Sequence, residues 1–260
     1  MNIKIAHDAR PQARTLLFAT LLTVVLWFIP FADILTYPFR IFVTFIHEGG
    51  HALAALLTGN SVQSLSVAMN ASGETYTTQG GVFSQMFVSS AGYLGAMAYG
   101  ALLLVLIRRA VAARLVLLGS AAYILALTFL YGLLNPVRYG IVPSLFTIVA
   151  GVVLALALGG AAKYAGARVA TFLVSFLAVQ SVLNALFDLK TVIFLSSPFA
   201  ANVHTDATNM ASATGVPSLF WALVWAGLAF MILSVAMRAY AVSRRAPRQP
   251  DLPFEEPSEV

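Results

Sequence analysis

Apolar residues along this chain gather into long runs near 15–35, 39–58, 82–107, 112–134, 140–160, 167–188 and 216–238. A bilayer core takes about 20 such residues per helix, so the pattern predicts an all-α polytopic membrane protein with six to seven transmembrane helices. Basic residues punctuate the runs: Arg108, Arg109, Arg114, Arg138, Lys163, Arg168, Lys190 and Arg238 all fall at predicted helix edges, where a charge reaches the headgroups. One stretch breaks the pattern. From Asn60 to Gly81 the apolar Leu65, Val67 and Met69 alternate with Ser64, Ser66 and Ala68, and Asn70-Ala71-Ser72-Gly73 supplies turn chemistry ahead of the Thr-rich Glu74-Thr75-Tyr76-Thr77-Thr78. Period-two alternation on both sides of a turn predicts a short β-hairpin over 60–81, with a solvated loop as the alternative.

The organisation that follows is a polar arm at 1–14, a membrane-embedded domain at 15–240 and a disordered tail at 241–260, rich in Pro, Arg and Glu. The first apolar run lacks a small-residue cleavage site, which makes it a retained helix and not a removed signal peptide. Charge leaves the sidedness open. With seven spans, the connectors at 108–114 and 161–168 and the basic tail share one side, while Lys4, Arg10 and Arg14 lie opposite. Either the N-terminus is outside despite its charge, or the segment 39–81 enters and leaves on one side.

Composition narrows the chemistry. With 60% apolar and only 10% charged residues, the chain is neither an ordinary soluble domain nor a disordered one. A net charge of +5, carried by the ends and connectors, suits anionic lipid surfaces and requires no nucleic acid partner. Cysteine is absent, so thiolate metal sites, disulfides and cysteine nucleophiles are excluded. Nothing in the pattern fixes an oligomeric state.

Inside the second run stands His47-Glu48-Gly49-Gly50-His51. Two histidines four apart on a helix face the same way, and the glutamate between them can reach a water held there. Random placement would produce such a pentapeptide roughly 0.002 times in a chain of this composition, and burying it unpartnered in lipid would cost several kcal/mol. A Zn2+ site follows, with His47 and His51 as ligands and Glu48 as general base. A catalytic zinc usually takes a third protein ligand. The candidates are Asp206, in the polar start of a short helix before Gly215 and Pro217; Asp188, which ends the sixth run on one face with Asn184; and His204. Each has a plainer role available: Asp206 as a helix N-cap, Asp188 as a partner of Lys190 or a support for a ligand histidine, His204 as a solvent-facing residue. Asn184 is a possible second-layer companion of Asp188. One carboxylate beside two neutral imidazoles would leave +1, which ionising a bound water neutralises, as a low-dielectric site favours. Gly49 and Gly50 read as close helix packing or as room beside the metal, and Gly92, Gly95 and Gly100 as packing.

Phe45-Ile46-His47-Glu48-Gly49-Gly50-His51-Ala52, the strand-like insert and Ser90-Ala91-Gly92-Tyr93-Leu94-Gly95 resemble the site-2 protease family of intramembrane zinc metallopeptidases, and most of all its bacterial and plant "protease B-like" branch. The likeness continues through Leu186-Phe187-Asp188-Leu189, Thr205-Asp206-Ala207 and Pro217-Ser218-Leu219-Phe220-Trp221, roughly residues 40–240. It implies a zinc endopeptidase of a bacterial cell membrane that cleaves membrane-spanning or membrane-adjacent polypeptides. Two departures matter. The Leu-Asp-Gly element that holds the third ligand in better-studied members is absent, Asn135-Pro136 being followed by Val137-Arg138, and the resemblance then assigns that ligand to Asp206 ahead of Asp188. No peptide-binding domain is inserted either. Two other classes fit the intramembrane charges, an ion- or proton-coupled transporter and a metal-binding scaffold without activity. Against transport, the two halves show no repeat; against a scaffold, a structural metal needs no base between its ligands.

Overall fold

The computed structural model describes residues 10–109, 112–133, 141–197 and 203–241. The tail beyond 241, the first residues of the N-terminal arm with His7, and Asn135-Pro136 with Arg138 lie outside the described residues. The chain runs α1 (Arg10–Trp27), α2 (Asp33–Leu57), β1 (Val62–Val67), β2 (Gly73–Thr77), α3 (Val82–Arg108), α4 (Ala113–Leu127, continued by a π turn over Thr128–Gly132), α5 (Ile141–Tyr164), α6 (Ala167–Leu195), α7 (Asp206–Thr214) and α8 (Ser218–Ala241). It is a helical protein with one small antiparallel hairpin.

Among the described residues, five helices, α3, α4 with its π turn, α5, α6 and α8, are long and apolar enough to cross a membrane. Of the six to seven spans expected, five meet this criterion among the described residues. The first apolar run is interrupted: α1 stops at Trp27, and the chain turns through Pro30 and Phe31, whose φ of 64° lies in the left-handed region, so that α2 starts at Asp33. The apolar part of α1, Ala13–Leu26, is short for a span, and α2 carries Arg40, Glu48 and both motif histidines. The sixth run is longer than expected. Helix α6 continues to Leu195, which puts Asp188 inside the helix and not at its end.

Helix α3 is the hub, packed against α2, α6, α7 and α8. It lies antiparallel to α2, since His51 meets Val88, Thr58 meets Ser84 and the Phe42 ring sits 5.8 Å from that of Tyr99. Glycines permit this approach. A Cβ on Gly50 would strike the Ala91 carbonyl, and Gly95 faces the Gly50 backbone, the packing role expected of small residues between membrane helices. Phe42, Phe45, Met97, Leu103, Leu189 and Trp225 are fully buried between these helices.

The basic ends gather at one end of the bundle. The Arg108 Nε donates to the Tyr240 carbonyl (2.9 Å), an Arg114 Nη donates to the Ala165 carbonyl (3.1 Å), and Arg14 and Arg168 line one groove between α1 and α6. Arg108 is buried where a headgroup contact was expected, because it meets the carbonyl end of α8. The start of α1, with Arg14, therefore lies with the basic connectors.

Candidate metal centre

Three elements deliver the site. Helix α2 carries His47, Glu48 and His51 on one face, and it ends cleanly: Gly59, at φ 78°, sends its N–H to the Leu56 carbonyl while Asn60 N–H reaches the Ala55 carbonyl. That stop aims the chain back as a hairpin. Val67↔Gly73, Leu65↔Thr75 and Ser66↔Glu74 are opposed in register. Tyr37 and Thr44 of α2 donate to the carbonyls of Met69 and Ala71 at the tip (2.6 and 2.8 Å). Thr147 of α5 takes both the N–H and the carbonyl of Val67 (2.9 and 3.1 Å), which closes the outer edge of β1 there. Among the described residues no further strand pairs with the other edge of β2.

Helix α7 delivers Asp206. Its N-cap is Thr205, in a reciprocal capping box with Thr208, and Gly215 at φ 73° ends it. Asp206 is thus the first helical residue and not the cap, which leaves its carboxylate free to turn inward. Ala207 and Met210, buried one turn apart, seat the helix against its neighbours, and Trp221 Nε1 donates to Thr214 at its end (3.0 Å).

The three side chains converge. His47 Nε2 and His51 Nε2 are 3.1 Å apart, and each is 3.4 Å from Asp206 Oδ2. Ligands about 2.0–2.1 Å from a tetrahedral ion stand roughly 3.3–3.4 Å from one another, so the triangle has the edge lengths of such a site. The donor chemistry agrees. The carbonyl of Val88 can only accept, so His51 Nδ1, 2.7 Å away, donates to it, and Nε2 is the nitrogen turned toward His47 and Asp206. Burial works to raise the pKa of Asp206, but His51 and His47 outweigh it and hold the carboxyl well below the usual carboxylate range. His47, His51 and Asp206 could hold a metal ion, with all ligand atoms within 4.8 Å of one another.

Glu48 stands beside this group and outside it. It is buried, and Thr75 of β2 donates its hydroxyl to Oε2 at 2.7 Å. Gly73 abuts the same carboxyl: a Cβ there would occupy the space of Glu48 Oε1 and Cγ. The polar cavity that reaches these groups, of about 840 Å³, is lined by β2, by α7 and by Asp188 and His204. Asp188 faces it without joining the ligand triangle. Its electrostatic neighbours are His47 and Arg40. His204 is exposed on the cavity wall. Asn184 turns away and donates to the Gln180 carbonyl at 2.8 Å.

Four residues beyond the motif were not assigned to the site from sequence. Gly92, read as packing, lies against both imidazoles, where a Cβ would collide with the two Nε2 atoms. Tyr93 sets its ring edge-on to His47 (4.7 Å, 79°), backed by Trp225 at 5.6 Å, and its hydroxyl is within electrostatic reach of Asp206, Asp188 and Glu48. Both belong to the Ser90–Gly95 element, so a signal existed. Thr75 and Gly73 had none beyond the hairpin pattern.

With an HExxH helix, a carboxylate from a late short helix and a hairpin beside the glutamate, the arrangement can be compared with known families. The chain belongs to the Peptidase M50B-like family. That family's model matches residues 16–236, most of the chain, in keeping with the site-2 protease resemblance. No curated protein and no solved structure matches it. Membership and the five apolar helices make this M50B-like chain a multi-pass membrane protein of a metalloprotease family.

Proposed function

We propose that this M50B-like protein is an intramembrane zinc endopeptidase that hydrolyses peptide bonds of membrane-spanning or membrane-adjacent polypeptides, with His47, His51 and Asp206 as the metal ligands. What supports it is one juxtaposition: three ligand atoms at tetrahedral spacing, with a buried glutamate beside them that is not part of the triangle. Zinc held there supplies Lewis-acid polarisation of the scissile carbonyl and makes a water acidic near neutral pH.

The remaining steps fall to the chain. Glu48 accepts the proton of the attacking water and passes it to the amine nitrogen as the C–N bond breaks. His51 donates from Nδ1 to Val88, which keeps Nε2 turned toward His47 and Asp206. Substrate must arrive extended, since a helix hides its peptide bonds, and β2 offers an edge for it. Val67 spends its N–H and carbonyl on Thr147, and Ala68 N–H bonds to the Ser72 carbonyl, so the alternation of an antiparallel ladder turns the backbone groups of Gly73 and Thr75 away from β1. A substrate strand laid there would regain the hydrogen bonds lost on unwinding, beside the ligand group.

The test is cleavage of a membrane-spanning substrate by purified, zinc-loaded protein. Glu48→Gln should keep its zinc and lose about 10²- to 10⁴-fold in kcat, the usual share of a general base, whereas His51→Ala should lose zinc as well. Wild-type rates in both variants on a substrate shown to bind would refute the proposal.

A further inference from the structure

We infer that Thr75 is a positioning residue for the base, and that it ties the alignment of Glu48 to the pairing of a substrate strand on β2; this rests on the protease activity proposed above. Two parts of one residue meet two different partners. Its hydroxyl lies 2.7 Å from Glu48 Oε2 and 3.1 Å from the Glu48 carbonyl, while its N–H and carbonyl face the open edge of the hairpin.

The geometry selects one rotamer of the glutamate. Oε2 is engaged by Thr75, which leaves Oε1, in the space a side chain at position 73 would fill, as the oxygen without a donor among the described residues. Gly73 and Thr75 are alternate residues of β2 and so lie on one face of the hairpin, where they grip the carboxyl from two directions. The hairpin is itself pinned to α2 at its tip through Tyr37 and Thr44 and to α5 through Thr147 at Val67 of β1, while β2 meets α2 through Thr75. Nothing else among the described residues donates a hydrogen bond to the Glu48 carboxyl. A shift of β2 along its own plane, such as a paired strand would resist, therefore moves the one donor that orients the base. Positioning errors of this kind cost rate and not affinity, because the ground-state contacts of the substrate are untouched.

Thr75→Val keeps the shape and the β-branch and removes the donor; Thr75→Ser keeps the donor. In the zinc-loaded protein Thr75→Val should lower kcat by about 10- to 100-fold with KM and zinc content within about twofold of wild type, and Thr75→Ser should restore kcat to within about fivefold. A parallel fall in zinc content and rise in KM, without rescue by serine, would mean a structural role and overturn the inference. A second readout needs no activity. In infrared spectra of the metal-free protein, the carboxyl bands that vanish in Glu48→Gln should shift in Thr75→Val and stay in place in Thr75→Ser; bands unmoved by valine would refute the contact. For the coupling, a substrate N-methylated opposite Thr75 should slow wild type more than Thr75→Val, and simply multiplicative effects would dismiss it. If Glu48→Gln cleaves like wild type, the protease activity fails, while the infrared arm still judges Thr75 by itself.

Discussion

At the scale of single residues, the third ligand and the glycines decide whether a metal can be held. Asp206 closes a triangle with His47 and His51, whereas Asp188 shares the cavity without entering it. Zinc measured in purified variants should therefore drop to background in Asp206→Ala and stay near one ion per chain in Asp188→Ala; the opposite pattern would move the ligand to α6. Gly92 offers an independent check. A methyl group at this position meets both Nε2 atoms, so Gly92→Ala should abolish zinc binding with the fold intact, while Gly95→Ala, which meets only the Gly50 backbone at 3.4 Å, should keep its metal. The pentapeptide was legible because its chemistry is local, two ligands one helical turn apart. Gly92 was not, because its neighbours come from another helix 41–45 positions away, and a glycine in an apolar run looks the same whether it faces a helix or an imidazole. Gly73 misleads in a different way. It sits where the turn was expected, yet Ala71 is the residue with positive φ (65°), held by Asn70 Oδ1 bonds to the Ser72 N–H and hydroxyl, and Gly73 serves Glu48.

At the scale of elements, the hairpin and α7 were readable from period and punctuation. Alternation from Leu65 to Met69 and the Thr-rich return gave β1 and β2, and a polar start with Gly215 at the end gave α7. Their placement was not readable, since it depends on single side chains reaching across the bundle. Thr147 is the clearest case: nothing in Ser144-Leu145-Phe146-Thr147 marks it, yet it satisfies both backbone groups of Val67, 80 positions earlier. Thr147→Val, an isosteric change, leaves a buried N–H and carbonyl unpaired and should cost about 1–3 kcal/mol of stability by the usual penalty for such groups. Thermal unfolding in detergent would measure it. Stability within error of wild type would mean that the β1 edge finds another partner. The helix count turns on detail of the same kind. Seven apolar runs were visible, but Pro30 and Phe31 break the first, and the residues that make α2 chemically useful are those that make it a poor span.

At the scale of the whole molecule, the site and the charges occupy opposite ends. Arg14, Arg108, Arg114 and Arg168 are drawn together where α1, α4 and α6 begin and α3, α5 and α8 finish. The hairpin lies at the far end of α3, where Thr58 of α2 meets Ser84 (2.9 Å), and the cavity is walled by that hairpin and α7. Lys and Arg near helix ends tend to be retained on the cytoplasmic side, so the basic end is expected there, which would open the cavity on the opposite face. Cleavage would then take place toward the outer half of the membrane. Because the chain contains no cysteine, single cysteines report on this without background. In intact cells a membrane-impermeant thiol reagent should label Gln79→Cys, an exposed position on the cavity wall, and should reach Arg109→Cys only after permeabilisation. Labelling of Arg109→Cys alone in intact cells would invert the topology. It would also put the β2 edge, and with it any paired substrate strand, on the cytoplasmic side.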